Sequence, residues 1–145
     1  MVWLKRDLRL RDHEPLWYAS QNKYPTLIVY LIEDILLDDP HMDIRHWRFI
    51  WQSLKDINQQ LAEYGQKLHV VKSGAIEFCR YLYRHWGVFN LYSSQEVGLA
   101  NTFERDKQVK HWCRKNQIPW LEYSTGAVIR GLKDRDSWDK HWQTV

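Results

Sequence analysis

The sequence is short of the features that mark several large protein classes. It has no run approaching the ~18 consecutive apolar residues of a membrane-spanning helix. Lys5, Arg6, Asp7, Arg9 and Arg11 fall where the apolar stretch of a secretory signal would have to lie, so a cytoplasmic protein with no membrane partner is expected. Only two cysteines occur, Cys79 and Cys113. They show no metal or redox spacing and read as reduced core residues. Seven histidines are scattered without ligand spacing, so no metal is expected. No glycine-rich turn follows the first apolar segment: Leu4 runs straight into Lys5-Arg6-Asp7. Without glycines the backbone cannot approach a pyrophosphate closely, which excludes a nicotinamide dinucleotide loop, and no Walker loop occurs either. No nucleophile with its base and orienter is visible, and Glu33, Asp34, Asp38 and Asp39 read as a solvated acidic loop. No catalytic residue is therefore expected among residues 1–145.

What is present is the composition of a folded domain. Of 145 residues, 44% are hydrophobic and 27% charged, and a chain of this length buries roughly 68–70% of the surface its unfolded form exposes. Nine tryptophans are far above ordinary usage and need extensive partner surface. The net charge of +3 is spread along the chain with acids between the bases. No single basic face is expected, and hence only weak nucleic-acid binding by this segment itself.

Apolar runs at residues 1–4, 26–32, 68–72, 88–93 and 119–123 read as strands, the second buried on both faces. Between them lie helical patterns. The first is capped by Asp12, carries Pro15 in its first turn and ends near Gln21. A polar connection from Glu33 to Asp43 leads to the second, capped by Asp43, striped by Trp47, Trp51, Leu54, Ile57, Leu61 and Tyr64, and closed by Gly65. The third is capped by Ser73, faces inward through Cys79, Leu82, Tyr83 and Trp86, and stops at Gly87. The fourth spans about 101–116 and faces inward through Val109, Trp112 and Cys113. This alternation predicts an α/β fold: a Rossmann-like three-layer α/β/α sandwich with a five-stranded parallel sheet in the order 3-2-1-4-5. Residues 124–145 stand outside the alternation, with Trp138 and Trp142 four apart on one side of a helical turn.

In that strand order the crossover changes side between strands one and four, and ligands bind at the strand carboxyl ends there. The rule selects Lys5, Arg6, Asp7, Leu8 and Arg9 after strand one, and Ser94, Gln95, Glu96 and Asn101 after strand four. Together they form a polar rim suited to a planar or anionic ligand. The plainer reading is that these charges pair with one another at the surface, at ~0–1 kcal/mol each.

Residues 3–16, Trp-Leu-Lys-Arg-Asp-Leu-Arg-Leu-Arg-Asp-His-Glu-Pro-Leu, resemble the opening signature of the photolyase and cryptochrome family, with Leu4 in place of the usual aromatic and His13 in place of the usual asparagine. Gln95-Glu96-Val97-Gly98, Glu104-Arg105-Asp106 and Val109 through Trp112-Cys113 resemble the family's segment after strand four. Residues Gly126 to Trp142 are similar to its linker entry. The resemblance implies that residues 1–123 form the amino-terminal α/β domain, which in such proteins holds an antenna chromophore of folate, deazaflavin or flavin type when one is present, an empty pocket being the alternative. Residues 124–145 would begin the interdomain linker. The helical domain that holds FAD, meets damaged DNA and transfers the electron would lie outside this chain.

Candidate antenna contacts are Lys5, Arg6, Asp7, Leu8 and Arg9, Ile32 and Glu33 after strand two, Arg48 on the second long helix, and Gln95, Glu96 and Asn101. Truncating Lys5 and Arg6 together is expected to weaken chromophore retention without unfolding the domain. The whole protein is expected to be a deoxyribodipyrimidine photo-lyase, a carbon–carbon lyase, with this segment inactive alone. A cryptochrome-type blue-light receptor and a stand-alone nucleotide- or flavin-binding module are the alternatives.

Overall fold

The computed structural model describes residues 1–125 together with Trp138, Trp142 and Gln143. Five strands, β1 (Val2–Leu4), β2 (Ile28–Ile32), β3 (Leu68–Lys72), β4 (Leu91–Ser94) and β5 (Trp120–Tyr123), form one sheet in the order β3-β2-β1-β4-β5. Every pairing is parallel, with Val2 opposite both Ile28 and Tyr92. The central strand β1 is buried throughout, as its unbroken apolar run requires.

Helices cover both faces. α1 (Glu14–Ser20) and α3 (Ile44–Ala62) close one side over Val2, Leu4, Ile28, Tyr30, Leu54, Ile57 and Leu61. On the other side α4 (Ala75–Trp86) and α5 (Ala100–Lys115) close over Trp3, Val29, Leu31, Cys79, Leu82, Val109 and Cys113. Alternation along β1 sends Val2 and Leu4 to the first core and Trp3 to the second, as the two-residue period of a strand dictates. Both cysteines are buried and unpaired.

Local chemistry sets the boundaries. Asp43 caps α3 by accepting from the Arg45 N–H at 2.9 Å, while His46 Nδ1 accepts from the Asp43 N–H at 2.9 Å. Gly65 and Gly87, with φ of 65° and 76°, follow α3 and α4 in the left-handed region that favours glycine.

Several expectations are corrected. α1 is capped by His13, whose Nδ1 accepts from the Leu16 N–H at 3.2 Å, and not by Asp12, whose φ of 50° places it in the turn before. Gly74 and not Ser73 occupies the cap of α4, where no side chain bonds the helix end. The polar connection after β2 contains a short helix, α2 (Asp34–Leu37). β4 begins at Leu91 because Val88 projects outward and pairing with β5 starts only at the Leu91–Trp120 register. The stripe of α3 is narrower than expected. Between Trp47 and Leu54 both Ile50 and Trp51 satisfy helical spacing; Ile50 packs inward and Trp51 is left exposed. Tyr64 and Trp86, at or beyond their helix ends, are exposed too.

The expected linker falls largely outside the described residues. Within it the rings of Trp138 and Trp142 stack, 5.6 Å between centroids and 17° between planes. Among the described residues no helix is long and apolar enough to cross a membrane.

Candidate functional site

β1 ends at Leu4 and β4 at Ser94. The helices that leave and enter these strands lie on opposite faces, so the chain parts at the sheet's carboxyl edge and leaves a crevice. The cleft there encloses about 420 Å³. Leu8, Leu36, Met42, Phe49, Ile50 and Leu99 form apolar walls; Trp3, Tyr30 and Thr102 lie deeper; Arg6, His41, Arg45 and His46 supply polar groups. This is the balance of a small-molecule site: much apolar surface with a few placed donors.

Beneath the cleft lies a network of three cations and three carboxylates. Arg105, from α5, bonds Glu33 at the end of β2, Glu96 Oε2 at 3.2 Å and Asp106 Oδ1 at 2.8 Å. Lys5 Nζ bonds Asp106 Oδ2 at 2.7 Å and the Ser94 carbonyl at 3.0 Å. Arg6 Nε donates to Glu96 Oε1 at 3.1 Å, and the Ala75 N–H donates to Glu33 Oε1 at 3.0 Å. Each of the six carboxylate oxygens accepts a bond, and only Arg6, with 54% of its side chain exposed, reaches solvent freely. Burying charges costs several kcal/mol per ion unless partners and hydrogen bonds replace water; here they do. Trp3 lies against this layer, with Lys5 Nζ and Arg105 Cζ each 4.6 Å from its ring centroid, a cation–π arrangement.

The environment moves the ionisations. Burial lowers the Lys5 ammonium below its usual value against the opposing pull of Asp106. Burial likewise raises the Glu33 carboxyl, more than Arg105 lowers it. Arg105 resists the effect of its own burial because Glu33, Asp106 and Glu96 raise it. The Tyr30 hydroxyl is pushed up to about 12 by burial and by Glu33 and so stays protonated.

A second buried unit ties the rim together. Asp7 accepts from the Lys5 N–H at 2.8 Å and from Ser94 Oγ at 2.6 Å, and His13 Nε2 lies 2.7 Å from Asp7 Oδ2. Since His13 Nδ1 accepts from Leu16, a neutral ring carries its proton on Nε2, which lies close to Asp7 but outside hydrogen-bond geometry. Burial pushes the Asp7 carboxyl upward, but His13, Ser94 and the Lys5 amide together carry it down to about 2. Serine and histidine both point at the carboxylate here, whereas nucleophilic catalysis needs histidine between serine and acid. The trio is structural.

The sequence-selected residues separate into groups. Lys5, Arg6, Leu8, Glu33 and Glu96 line the cleft. Asp7 lies beneath the rim. Arg9 turns away, its Nε 3.2 Å from the carbonyls of Arg11 and Asp12. Ile32 packs into the α1/α3 core. Arg48 is exposed on α3, whereas its neighbours Arg45, His46, Phe49 and Ile50 face the cleft. Gln95 donates its N–H to the Tyr123 carbonyl at 2.8 Å and is outside the lining. Asn101 ties α5 to the segment after β2, donating to the Ile35 carbonyl at 3.0 Å and Asp39 Oδ2 at 2.6 Å.

Between the two loops only Arg6 and Glu96 pair among the described residues, with Arg6 half exposed; Lys5 and Asp7 pair instead with buried Asp106 and His13. Lys5 is consequently no free rim residue: truncating it would strip Asp106 of a buried partner, so the Lys5, Arg6 double change would disturb stability as well as binding. Sequence reasoning missed Arg105 and Asp106 as the centre of the network. Their signal is the stripe Thr102, Arg105, Asp106, Val109, Cys113, all buried on α5 at helical spacing, with charge at two core positions. Gly98 was also missed as a site residue. A Cβ there would lie 2.6 Å from Arg6 Cζ, so glycine lets the guanidinium lie flat against the loop.

A doubly wound parallel sheet with a side-chain-lined cleft at its switch point defines an α/β domain of Rossmann-like type. The family model for DNA photolyase matches residues 1–131, and the chain belongs to the DNA photolyase family. Among curated proteins it is similar to cryptochrome-2 of Gallus gallus, 29% identical over 99 residues that make up 66% of this chain and 17% of the relative. It is also similar to cryptochrome-1 of Sylvia borin, 26% identical over 111 residues, 74% of this chain and 17% of the relative. The chain thus spans about a sixth of the length of these relatives. Among solved structures it is similar to a bacterial class III photolyase from Agrobacterium tumefaciens, with TM-score 0.77, 21% identity, and coverage of 94% of this chain and 28% of that one. It also resembles an archaeal photolyase from Sulfolobus tokodaii described with two FAD molecules, with TM-score 0.79, 21% identity, and coverage of 99% and 34%.

Proposed function

We propose that this chain is the antenna-binding domain of a photolyase-like flavoprotein, and that the cleft at the ends of β1, β2 and β4 holds a planar chromophore. The observation that carries the reading is the cleft itself: about 420 Å³, walled by Leu8, Leu36, Phe49 and Ile50 and floored by a charge network that is neutral in sum. Apolar walls suit a conjugated ring. Arg6, Arg45 and the two histidines suit its acceptor or anionic groups. When bound, the chromophore would supply light absorption and energy transfer to FAD held by the helical domain outside this chain. The residues here bind it, orient it and keep water from its ring.

In the whole protein the excited flavin would split a pyrimidine dimer in DNA, and no residue of this chain takes part in bond breaking. The experiment is titration of the purified chain with a folate, a deazaflavin and a flavin, read by chromophore fluorescence anisotropy, with Ile50→Trp as a variant that fills the cleft. Saturable binding of one of them, lost in Ile50→Trp, supports the reading. Absence of binding by all three removes it.

A receptor without repair activity is the second reading, and the similarity to cryptochromes favours it. Light-dependent repair of dimer-containing DNA by the full-length protein distinguishes the two.

A further inference from the structure

The net charge of the chain is not shared equally between its two helical layers. On α4 and α5 the exposed cations are Arg80, Arg84, Lys107, Lys110, Arg114 and Lys115, against the exposed acids Glu77 and Glu104. Buried Arg105 and Asp106 cancel. This layer therefore carries a surplus of four, against +3 for the whole chain. On α1 and α3, Arg45, Arg48 and Lys55 face Glu14 and Asp56, a surplus of one. The sequence, read along its length, mixes signs; the fold sorts them, and a basic face not expected from the sequence results.

Two of the six cations are occupied: Lys107 bonds Glu104 at 2.7 Å and Lys110 bonds Glu122 at 2.9 Å. Arg80, Arg84, Arg114 and Lys115 have no ion pair among the described residues. Both helices join parallel strands and so run the same way, which brings their carboxyl ends, with Arg84, Arg114 and Lys115, to one end of the layer. The seam between the helices is apolar. Tyr83 and Trp112 meet edge to face across it, 6.0 Å between centroids, and Ile76, two turns earlier on α4, is half-buried against the same core. Helical spacing sets Arg80 and Arg84 on the stripe of Ile76 and Tyr83, and Lys115 on that of Trp112.

We infer that the α4/α5 seam is a docking surface for an acidic protein segment that carries apolar side chains. The apolar seam would receive the apolar residues, and the unpaired cations the carboxylates on either side, a complementarity that sets partner choice and encounter rate. A nucleic acid fits less well. Binding without sequence preference needs ring faces open for bases to stack on. Tyr83 and Trp112 are half-buried in the seam and meet edge to face, and the exposed Tyr81 and Trp86 each pack on one side against His85, so no run of free ring planes lies along the cations. This inference is independent of what the cleft binds.

The test is fluorescence anisotropy with the 145-residue chain and three labelled probes: a peptide of repeating glutamate pairs and leucine pairs, an all-glutamate peptide of equal charge, and an oligothymidylate. The expected result is that the glutamate–leucine peptide binds tightest, at least about tenfold tighter than the all-glutamate peptide. The combined change Arg80→Glu, Arg84→Glu, Lys115→Glu should abolish that binding. Charge-neutral Arg80→Gln, Arg84→Gln, Lys115→Gln should weaken it, and Lys23→Glu with Lys55→Glu on the other side should leave it unchanged. Circular dichroism checks that each variant is folded. Oligothymidylate bound as tightly as the glutamate–leucine peptide, equal binding of the two peptides, or binding unmoved by the neutral triple change would each overturn the inference.

Discussion

Arg105 lies with its guanidinium carbon 4.6 Å from the centroid of the Trp3 ring, so a residue of α5 is seated on the central strand. Through its bonds to Glu33, Glu96 and Asp106 the same side chain joins the ends of β2 and β4. One buried cation thus holds three segments around the cleft.

Replacing Arg105 with methionine keeps most of the packing on Trp3 and leaves three carboxylates with too few partners. The expected loss is about 3–5 kcal/mol, the range for breaking a buried pair from one side. Urea unfolding followed by tryptophan fluorescence measures it. A loss below about 1 kcal/mol, the range of an exposed ion pair, would mean the network is not structurally important.

Arg6→Ala should behave differently. The side chain is half exposed, so its pair with Glu96 contributes at most about 1 kcal/mol, and the thermal midpoint should barely move. Chromophore affinity in the titration above should fall. Equal affinity in the variant and the parent would place Arg6 outside the binding contacts.

Gly98→Ala gives an independent handle on the same contact. The new Cβ would meet Arg6 Cζ and Nη2, both at 2.6 Å, and the flexible guanidinium has to move. The expected outcome is an unchanged fold with Arg6 displaced from Glu96, and a loss of ligand affinity close to that of Arg6→Ala. A crystal structure of the variant with the 3.1 Å bond of Arg6 to Glu96 intact would contradict it.

Acid stability should depend on Asp7. Its carboxyl is lowered from 3.8 to about 2 in the folded protein. The folded state therefore holds the proton less well than the unfolded state, and stability from this group is present above about pH 4 and is lost as pH falls toward 2. One pKa unit corresponds to about 1.4 kcal/mol, so the group contributes on the order of 2 kcal/mol. Asp7→Asn should flatten the decline in stability between pH 4 and pH 2 in denaturant melts. A variant with the parent's acid slope would show that other carboxylates govern it.

His13→Ala removes both the cap of α1 and the partner of Asp7. A lost cap costs ~0.5–2 kcal/mol, and the loss should exceed that of Asp12→Ala, whose side chain is fully exposed. Equal destabilisation by the two changes would refute the assignment of the cap.

The strand order was legible because each strand is a compact apolar run and each helix a periodic one, and parallel crossovers leave few arrangements. The switch-point rule then selects Lys5, Arg6, Leu8 and Glu96, all of which line the cleft, whereas Glu33 comes only from the family resemblance and reads, with its neighbours, as part of a solvated loop. Contributions that cross between distant elements were not legible. Arg105 reads as one charged residue in a polar helix until the stripe through Thr102, Val109 and Cys113 is matched to the sheet beneath it. Arg48 and Phe49 are adjacent in sequence, and only the rotation of α3, fixed by Leu54, Ile57 and Leu61, decides which faces the cleft. Trp51 and Ile50 pose the same choice one turn earlier in the packing. Local periodicity allows both, and it is Ile50 that packs against the core around Leu54 and Ile57 while Trp51 stays exposed.

The absence of a glycine turn between Leu4 and Lys5 has a lasting effect. A pocket built from main-chain amides is committed to phosphate and alters only when the backbone alters. Here the mouth is framed by side chains, so what the cleft can accept changes through single substitutions while the sheet beneath stays the same.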